Sequence, residues 1–251
     1  MRSGRLLART SVATRRIAQR LGCALVVLAV ATALPPARVD AAPGAANADA
    51  GDRAARVARW NAQAFSSYEA DDVPQALALF GKAAELGDAS AQYNVAVIRL
   101  RDESAELPLE VALRLLRASA EAGFAPAQYL LGSLLETGRH VPASQDEASV
   151  WLERAAAQGI IDAQVAIATQ YYLGRGVPQD AARAAFWYLK AAEGGDVAAQ
   201  YLIGSMFERG LGVARDLRQA LTWYSAAARQ GDVVAREMAR ATAERLAAQS
   251  H

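Results

Sequence analysis

Cysteine is almost missing from this chain of 251 residues, since Cys23 is the only one. Cys23 lies in an N-terminal segment that we expect to be removed from the mature protein. The mature chain would then hold no thiol, which excludes a disulfide and a zinc site with thiolate ligands. This scarcity is compatible with an oxidising compartment but does not require one.

Histidine is nearly as scarce, and His140 and His251 are the only two in the chain. His140 falls in a predicted turn, where a solvated loop residue is the ordinary interpretation. A zinc cluster or a Cys–His nucleophile therefore has no residues to be built from. The Gly-x-Ser-x-Gly, His-Glu-x-x-His, Ser-x-x-Lys and phosphate-loop motifs are absent as well. The sequence predicts no catalytic residue, no metal, no cofactor and no enzymatic activity.

A strong excess of one charge is also lacking, because the net charge is only +1. Residues 1–41 carry seven arginines and one acid, so the rest of the chain holds 20 of the 27 basic and 25 of the 26 acidic side chains, a net charge of −5. Proteins that bind nucleic acid obtain most of their affinity from a basic face. A nucleic acid is therefore not an expected partner.

Long apolar runs are absent except for one of 14 residues from Leu21 to Leu34. Arginines precede this run, Pro35 and Pro36 end it, and Val39-Asp40-Ala41 offers small residues for cleavage. These are the three parts of a secretory signal peptide, whereas a membrane-spanning helix takes about 20 apolar residues. We predict a signal peptide over residues 1–41, a mature start near Ala42, and a periplasmic or secreted protein without a stable membrane span. The alternative is an uncleaved anchor.

Proline is rare and alanine abundant, which favours helix because alanine has the highest helix propensity. Residues 42–54 are rich in alanine and include Pro43 and Gly44. This segment is predicted to be a flexible tether.

A period of 36 residues runs through the rest of the chain. It appears in four columns in one register, made of glycine, an Ala-Gln pair, a bulky residue and an alanine. Internal repeats of this length are typical of solenoids. The glycine column is Gly87, Gly123, Gly159, Gly195 and Gly231. The bulky column is Leu79, Leu115, Trp151, Trp187 and Trp223, and the alanine column is Ala76, Ala112, Ala148, Ala184 and Ala220.

Each unit is predicted to hold two helices joined by a turn. Helix A begins at the Ala-Gln pair and has a small residue where another helix must approach closely, as at Gly132, Ala168 and Gly204. Helix B begins after an N-cap at Ser144, Asp180 or Asp216 and ends at the periodic glycine in a left-handed conformation. Ser144 and Glu147 have the spacing of a capping box.

Such a unit cannot bury its apolar face alone, so neighbouring units must stack. We predict an all-α fold, an α/α solenoid of about five helix-turn-helix repeats closed by a C-terminal capping helix. The predicted units are residues 55–90, 91–126, 127–162, 163–198 and 199–234, followed by the capping helix over 235–251. The second unit departs from the pattern, because Asp102 stands where the others have Gly138, Gly174 and Gly210.

The columns closely resemble the Sel-one-like repeat family, relatives of the tetratricopeptide repeats. The resemblance rests on Ala199 to Gly204, Gly210 to Val213, Ala220 to Tyr224 and Ala226 to Gly231, and it covers about residues 91–235. The first unit is closer to a plain tetratricopeptide repeat. The resemblance implies a solenoid that binds proteins, in which helix A lines a concave face. Bacterial members are often exported and serve signalling, envelope assembly or host contact.

Transfer of that arrangement gives candidate partner-binding residues on helix A. Tyrosine supplies a large amphipathic surface, and arginine pairs well with carboxylates. The tyrosines could equally serve packing, and the charged residues could equally be a solvated face. The candidates are Tyr93, Arg101, Tyr129, Glu136, Tyr172, Tyr201, Glu208 and Arg209.

Three functions remain open from the sequence. The favoured one is a non-enzymatic scaffold or adaptor of the cell envelope that binds a partner protein on the concave face, in signalling or envelope regulation. The second is a module that binds peptidoglycan or exopolysaccharide. The third is a hydrolase of β-lactams or peptidoglycan, for which Glu136 and Glu208 offer paired carboxylates. These two acids follow the repeat period, which duplication of the repeat explains. The sequence predicts no oligomeric state.

Overall fold

The computed structural model describes residues 45–101 and 107–249. These residues form eleven α-helices and no strand, which confirms the predicted all-α class. The helices are α1 (Ala45–Glu69), α2 (Val73–Glu85), α3 (Ala89–Arg101), α4 (Leu109–Glu121), α5 (Ala125–Thr137), α6 (Gln145–Ala157), α7 (Ile161–Leu173), α8 (Ala181–Glu193), α9 (Val197–Arg209), α10 (Leu217–Arg229) and α11 (Val233–Ala248).

Each helix packs mainly against the helix before it and the helix after it in the chain. This sequential packing is the signature of a solenoid, as predicted. The odd-numbered helices are the A helices of the repeat and the even-numbered ones are the B helices. The A helices α3, α5, α7 and α9 begin two residues before the predicted Ala-Gln start. The helices start earlier because their first turn does not require the apolar residues from which the start was predicted. In α9, for example, the N-cap is Asp196, which the predicted boundaries assign to the preceding unit.

Close contacts between the A and B helices of one repeat depend on small residues. A Cβ at Gly132 would lie 2.8 Å from Cγ of Leu152, and one at Gly204 would lie 2.9 Å from Cδ1 of Tyr224. Ala168, the residue at this position in the repeat between them, is fully buried. The structure confirms a close approach at this position and shows that the approaching helix is the B helix of the same repeat.

The glycine at the end of each B helix has the predicted left-handed conformation. The φ angles of Gly87, Gly123, Gly159, Gly195 and Gly231 lie between 83° and 99°. Such angles cost a residue with a side chain about 1–2 kcal/mol, which explains the periodic glycine.

The predicted N-caps of the B helices are present at Ser144, Asp180 and Asp216. The capping box is only half formed. The Glu147 backbone N–H donates to Ser144 Oγ, but the Glu147 carboxylate accepts from Arg117 and Trp151 instead of turning back to its own helix start. The prediction was wrong on that second half, because a partner in the neighbouring B helix competes for the carboxylate.

The predicted tether over residues 42–54 is wrong from Ala45 onwards, where α1 begins. This part of α1 is alanine-rich, and Asp52 forms an ion pair one turn away with Arg56 at 3.4 Å. The Arg53 guanidinium also donates to the Leu86 carbonyl at the end of α2. High helix propensity and the contact of Arg53 with the first B helix thus favour a helix, although Pro43 and Gly44 just before it are typical of a loop.

The predicted signal peptide, residues 42–44 of the tether and Asp102, where the second unit departs from the repeat pattern, lie outside the described residues. Within the described part, no helix combines the length and the hydropathy that a membrane span requires.

Candidate partner-binding face

One stripe of each A helix carries most of the residues that the sequence singled out as candidates for partner binding. It consists of the second, fifth, ninth, twelfth and thirteenth helical residues, which the helical period places on one side. We call this stripe in α5, α7 and α9 the A-face, and none of its residues is buried. Its residues are Pro126, Tyr129, Ser133, Glu136 and Thr137 in α5; Asp162, Val165, Thr169, Tyr172 and Leu173 in α7; and Ala198, Tyr201, Ser205, Glu208 and Arg209 in α9.

Tyr93, which occupies in α3 the position of Tyr129 in α5 and Tyr201 in α9, lies in the core. Tyr93 in α3 is only 4% exposed, and its ring packs edge-on against Phe124 with centroids 5.4 Å apart. Burial raises the pKa of Tyr93 to about 12, an effect that Arg101 reduces and Tyr129 reinforces. Tyr93 therefore packs between repeats and offers a partner little surface. Arg101, also a predicted candidate, is half-buried at the end of α3.

Tyr129 is half-buried on the A-face. Burial is the largest cause that raises the pKa of its hydroxyl, followed by the charge of Asp162. A hydrogen bond with Ser133 lowers the pKa, and Glu136 raises it. The Tyr129 hydroxyl thus lies in a region of negative electrostatic potential, to which Glu136 of α5 and Asp162 of α7 contribute.

Tyr201 covers a buried polar group at the other end of the A-face. Its ring lies 5.7 Å from the ring of Tyr224, centroid to centroid, and Tyr224 is fully buried. The Tyr224 hydroxyl donates to Glu208 Oε2 at 2.7 Å. Burial and this bond raise the pKa of Tyr224. Arg245 of α11 donates to the other oxygen of Glu208, so the chain itself neutralises this carboxylate.

Glu136 has the same place in α5 as Glu208 has in α9, but its surroundings differ. Gln170 of α7 donates from Nε2 to Glu136 Oε1 at 3.0 Å, and Ser149 of α6 donates to Gln170 Oε1 at 2.6 Å. Gln145 donates to the Glu136 backbone carbonyl at 2.8 Å. Among the described residues, no basic side chain lies within ion-pair distance of the Glu136 carboxylate.

The middle of the A-face is apolar. Tyr172 is 38% exposed and Leu173 is 46% exposed at the end of α7. Their equivalents are Glu136 and Thr137 in α5 and Glu208 and Arg209 in α9. Arg209 is exposed, so charge flanks the apolar pair along the solenoid.

The structure thus brings six of the eight candidates onto one face and leaves Tyr93 in the core. The six are Tyr129, Glu136, Tyr172, Tyr201, Glu208 and Arg209. The sequence analysis missed Ser149 and Gln170, which hold Glu136. The sequence does contain an indication of Gln170. It stands in a column of the repeat whose residues in three other repeats, Ile98, Leu134 and Met206, are apolar. In the described part of the chain, no group of three or more histidine, cysteine or acidic side chains is placed to hold a metal ion.

Comparison with known proteins identifies the repeat. Residues 67–88, 89–124, 125–160, 161–196 and 197–232 each match the model of the Sel1 repeat. From the second match onwards, each begins where an A helix begins. None of the curated proteins matches this sequence.

Several solved structures resemble the chain, and two of them are described by their similarity to it. The first is c5321, a protective antigen of uropathogenic Escherichia coli strains with an SLR fold, at 35% identity and a TM-score of 0.57 over 63% of this chain. The second is a Sel1 repeat protein from Oxalobacter formigenes, at 36% identity and a TM-score of 0.60 over 65% of this chain. The match covers only 34% and 48% of those two proteins, respectively.

Proposed function

The chain belongs to the Sel1 repeat family, and on that premise we propose that it is a non-enzymatic scaffold of the bacterial cell envelope that binds a partner protein along its A-face. Sel1 repeats generally act as protein–protein interaction modules and as non-catalytic scaffolds. The proposal adds the face, the compartment and a role in signalling or envelope regulation.

The observation that carries the proposal is the surface chemistry of the A-face. It presents exposed Tyr172 and Leu173 beside half-buried Tyr129 and Tyr201. Removal of apolar surface from water contributes about 25 cal/mol per Å², and tyrosine is enriched among residues that dominate binding energy. A face of this kind, with charges beside it, suits a protein segment.

The proposed location rests on the N-terminal sequence. Residues 1–41 have the composition of a secretory signal peptide, so we propose export to the periplasm or beyond. An intact mass of the exported protein that corresponds to a start near Ala42 is the expected result. A mass that includes Met1 would show a retained anchor.

A glycan of the cell wall or capsule is the second candidate partner. Tyr129 and Tyr201 favour it, because aromatic rings that are partly exposed on one face can stack on sugars. The hydrolase alternative uses Glu136 and Glu208 as paired carboxylates. It is weakened because the Glu208 carboxylate already accepts hydrogen bonds from Arg245 and Tyr224. Turnover of a β-lactam or of peptidoglycan by the purified chain, abolished by Glu136→Gln, would contradict the scaffold proposal.

Cross-linking from the A-face separates a protein from a glycan. A photoreactive phenylalanine replaces Tyr129 or Tyr201 in the chain expressed in its own organism, and mass spectrometry identifies what is attached. The proposal expects one discrete protein. Attachment of glycan fragments from both positions would favour the second candidate.

The protein identified in this way is then titrated against purified variants. Tyr129→Ala combined with Tyr201→Ala should abolish its binding while the helical circular dichroism is retained. Phe186→Ala is the control, because Phe186 is 52% exposed on the B helix α8 and outside the A-face. Retained binding by the double variant would contradict the proposal.

A further inference from the structure

A polar side chain interrupts the apolar core between the third and fourth Sel1 repeats, which carry α5 and α7 of the A-face. Gln170 is only 2% exposed at a position where the other repeats have Ile98, Leu134 and Met206. A buried polar group is unfavourable unless it is hydrogen-bonded, and both polar atoms of Gln170 are.

The hydrogen bonds of Gln170 end on the A-face. Ser149 donates to the Gln170 carbonyl oxygen, and the Gln170 amide donates to the Glu136 carboxylate. The Ser149 hydroxyl also lies 2.8 Å from the Gln145 backbone carbonyl, so its single proton is shared between two acceptors. The chain therefore replaces apolar packing with a hydrogen-bonded relay that fixes the orientation of one carboxylate.

That carboxylate has no cation of its own, in contrast to its counterpart. Glu208 is only 10% exposed and is neutralised by Arg245. Glu136 is half-buried, and its carboxylate has no basic partner among the side chains that the structure describes. Exposed Asp162 in α7 adds a second negative charge near Tyr129, and the charges of Asp162 and Glu136 both raise the pKa of the Tyr129 hydroxyl.

Apolar surface lies one repeat further along the same face. Tyr172 and Leu173 end the helix that carries Gln170, two and three residues after the residue that binds Glu136. An anionic group beside an exposed apolar pair complements a segment that carries a cationic and an apolar side chain close together.

We propose that the A-face selects a partner segment in which a lysine or arginine lies close to a large apolar residue. The cation pairs with Glu136 and the aromatic ring of Tyr129, and the apolar side chain packs on Tyr172 and Leu173. Gln170 is a positioning residue that orients Glu136. This inference rests on the proposed function, because it names the chemistry of the partner that the A-face receives.

The test is selection of a phage-displayed library of random twelve-residue peptides on the full-length chain. The most enriched peptides are then synthesised, and their affinities are measured by fluorescence anisotropy. We expect peptides with lysine or arginine within a few residues of leucine, phenylalanine or another large apolar residue. Their affinity should fall as salt is added, since screening weakens exposed charge pairs.

Three substitutions probe the assignment. Glu136→Gln keeps an acceptor for Gln170 but removes the charge, and should weaken peptide binding about tenfold with a smaller salt dependence. Gln170→Met, which restores the apolar column, should weaken binding about threefold, as expected when one orienting hydrogen bond is lost. Glu121→Gln, at an exposed position of the B helix α4, is the matched control and should have no effect.

The outcomes separate this inference from the proposed function. Two results would overturn the basic–apolar segment and leave the A-face as the binding surface. The first is enrichment of peptides without a basic residue. The second is a set of peptides that bind Glu136→Gln as well as wild type but do not bind the Tyr129→Ala, Tyr201→Ala variant. No enrichment, or peptides that bind the double-alanine variant unchanged, would overturn both.

Discussion

Gly204 of α9 lies against the ring of Tyr224 in α10, so closely that a Cβ on the glycine would come within 2.9 Å of Cδ1 of that ring. Tyr224 has no exposed surface and its hydroxyl is bound to Glu208, so the ring has no space into which it can move. Gly204→Val should therefore lower the free energy of unfolding by about 1–3 kcal/mol through overpacking. Urea denaturation followed by circular dichroism measures the change.

Gly81 provides the control for this prediction. It lies within α2, and a Cβ there would meet nothing within 4 Å. Gly81→Ala should raise the free energy of unfolding by about 0.5–1 kcal/mol, because alanine has less conformational entropy to lose in a helix. Equal destabilisation by both substitutions would contradict the close approach at Gly204.

Asn94 is a second site where stability can be predicted. Its side chain in α3 is fully buried, and neither its oxygen nor its nitrogen has a hydrogen-bond partner among the residues 45–101 and 107–249. The equivalent residues are Leu130, Ala166 and Leu202. Asn94→Leu keeps the branching and the number of heavy atoms, and should raise the free energy of unfolding by about 1–3 kcal/mol by removing two unsatisfied polar atoms. A decrease would indicate that Asn94 has a bound partner.

The buried glutamines of the A helices cap the B helices that precede them. Gln164 donates from Nε2 to the Ala156 carbonyl at 3.1 Å, whereas Gln92 is 3.5 Å from the Ala84 carbonyl. Gln164→Met should lower the free energy of unfolding by about 1–3 kcal/mol, because a carbonyl near a helix end loses its donor. Gln92→Met is the matched comparison and should lower the free energy of unfolding by less. A larger decrease for Gln92→Met than for Gln164→Met would contradict the capping role of these glutamines.

Alkaline pH should destabilise the fold through Tyr93. Burial raises its pKa from 10 to about 12, so the folded chain holds this proton more tightly than the unfolded chain does. Stability is unaffected below pH 10 and is lost between pH 10 and 12, by at most about 1.4 kcal/mol per pH unit for one proton. Tyr93→Phe should reduce the slope of unfolding free energy against pH in this window. Identical slopes would show that Tyr93 is not buried in solution.

The repeat architecture could be predicted from the sequence because duplication fixes its physical requirements. Gly87 and its equivalents adopt positive φ, Asp180 and Asp216 cap their helices, and Gly132 and Gly204 lie where a B helix approaches. Each requirement is local or recurs at one spacing, so the chain displays it several times.

Departures from the repeat could not be predicted in the same way. The burial of Tyr93 depends on Phe124, whose counterparts are Ile160, Asp196 and Asp232. Similarly, Glu136 and Glu208 share a column, but the partners of Glu208 come from α10 and α11. The side chains on neighbouring helices decide whether a tyrosine packs or a carboxylate is neutralised, and a single column carries no information about them.

The most direct measurement of partner binding on the A-face is a comparison of photo-cross-linking positions on the two sides of the solenoid. A photoreactive phenylalanine is placed at Tyr172, Leu173 or Tyr201 on the A-face, and at Val150, Phe186 or Thr222 on the exposed sides of the B helices. Val150 and Phe186 are 49% and 52% exposed, so exposed apolar surface is present on both sides. We expect one discrete protein to be attached from the A-face positions and not from the B-helix positions. Attachment of a protein only from the B-helix positions would contradict the A-face as the binding surface.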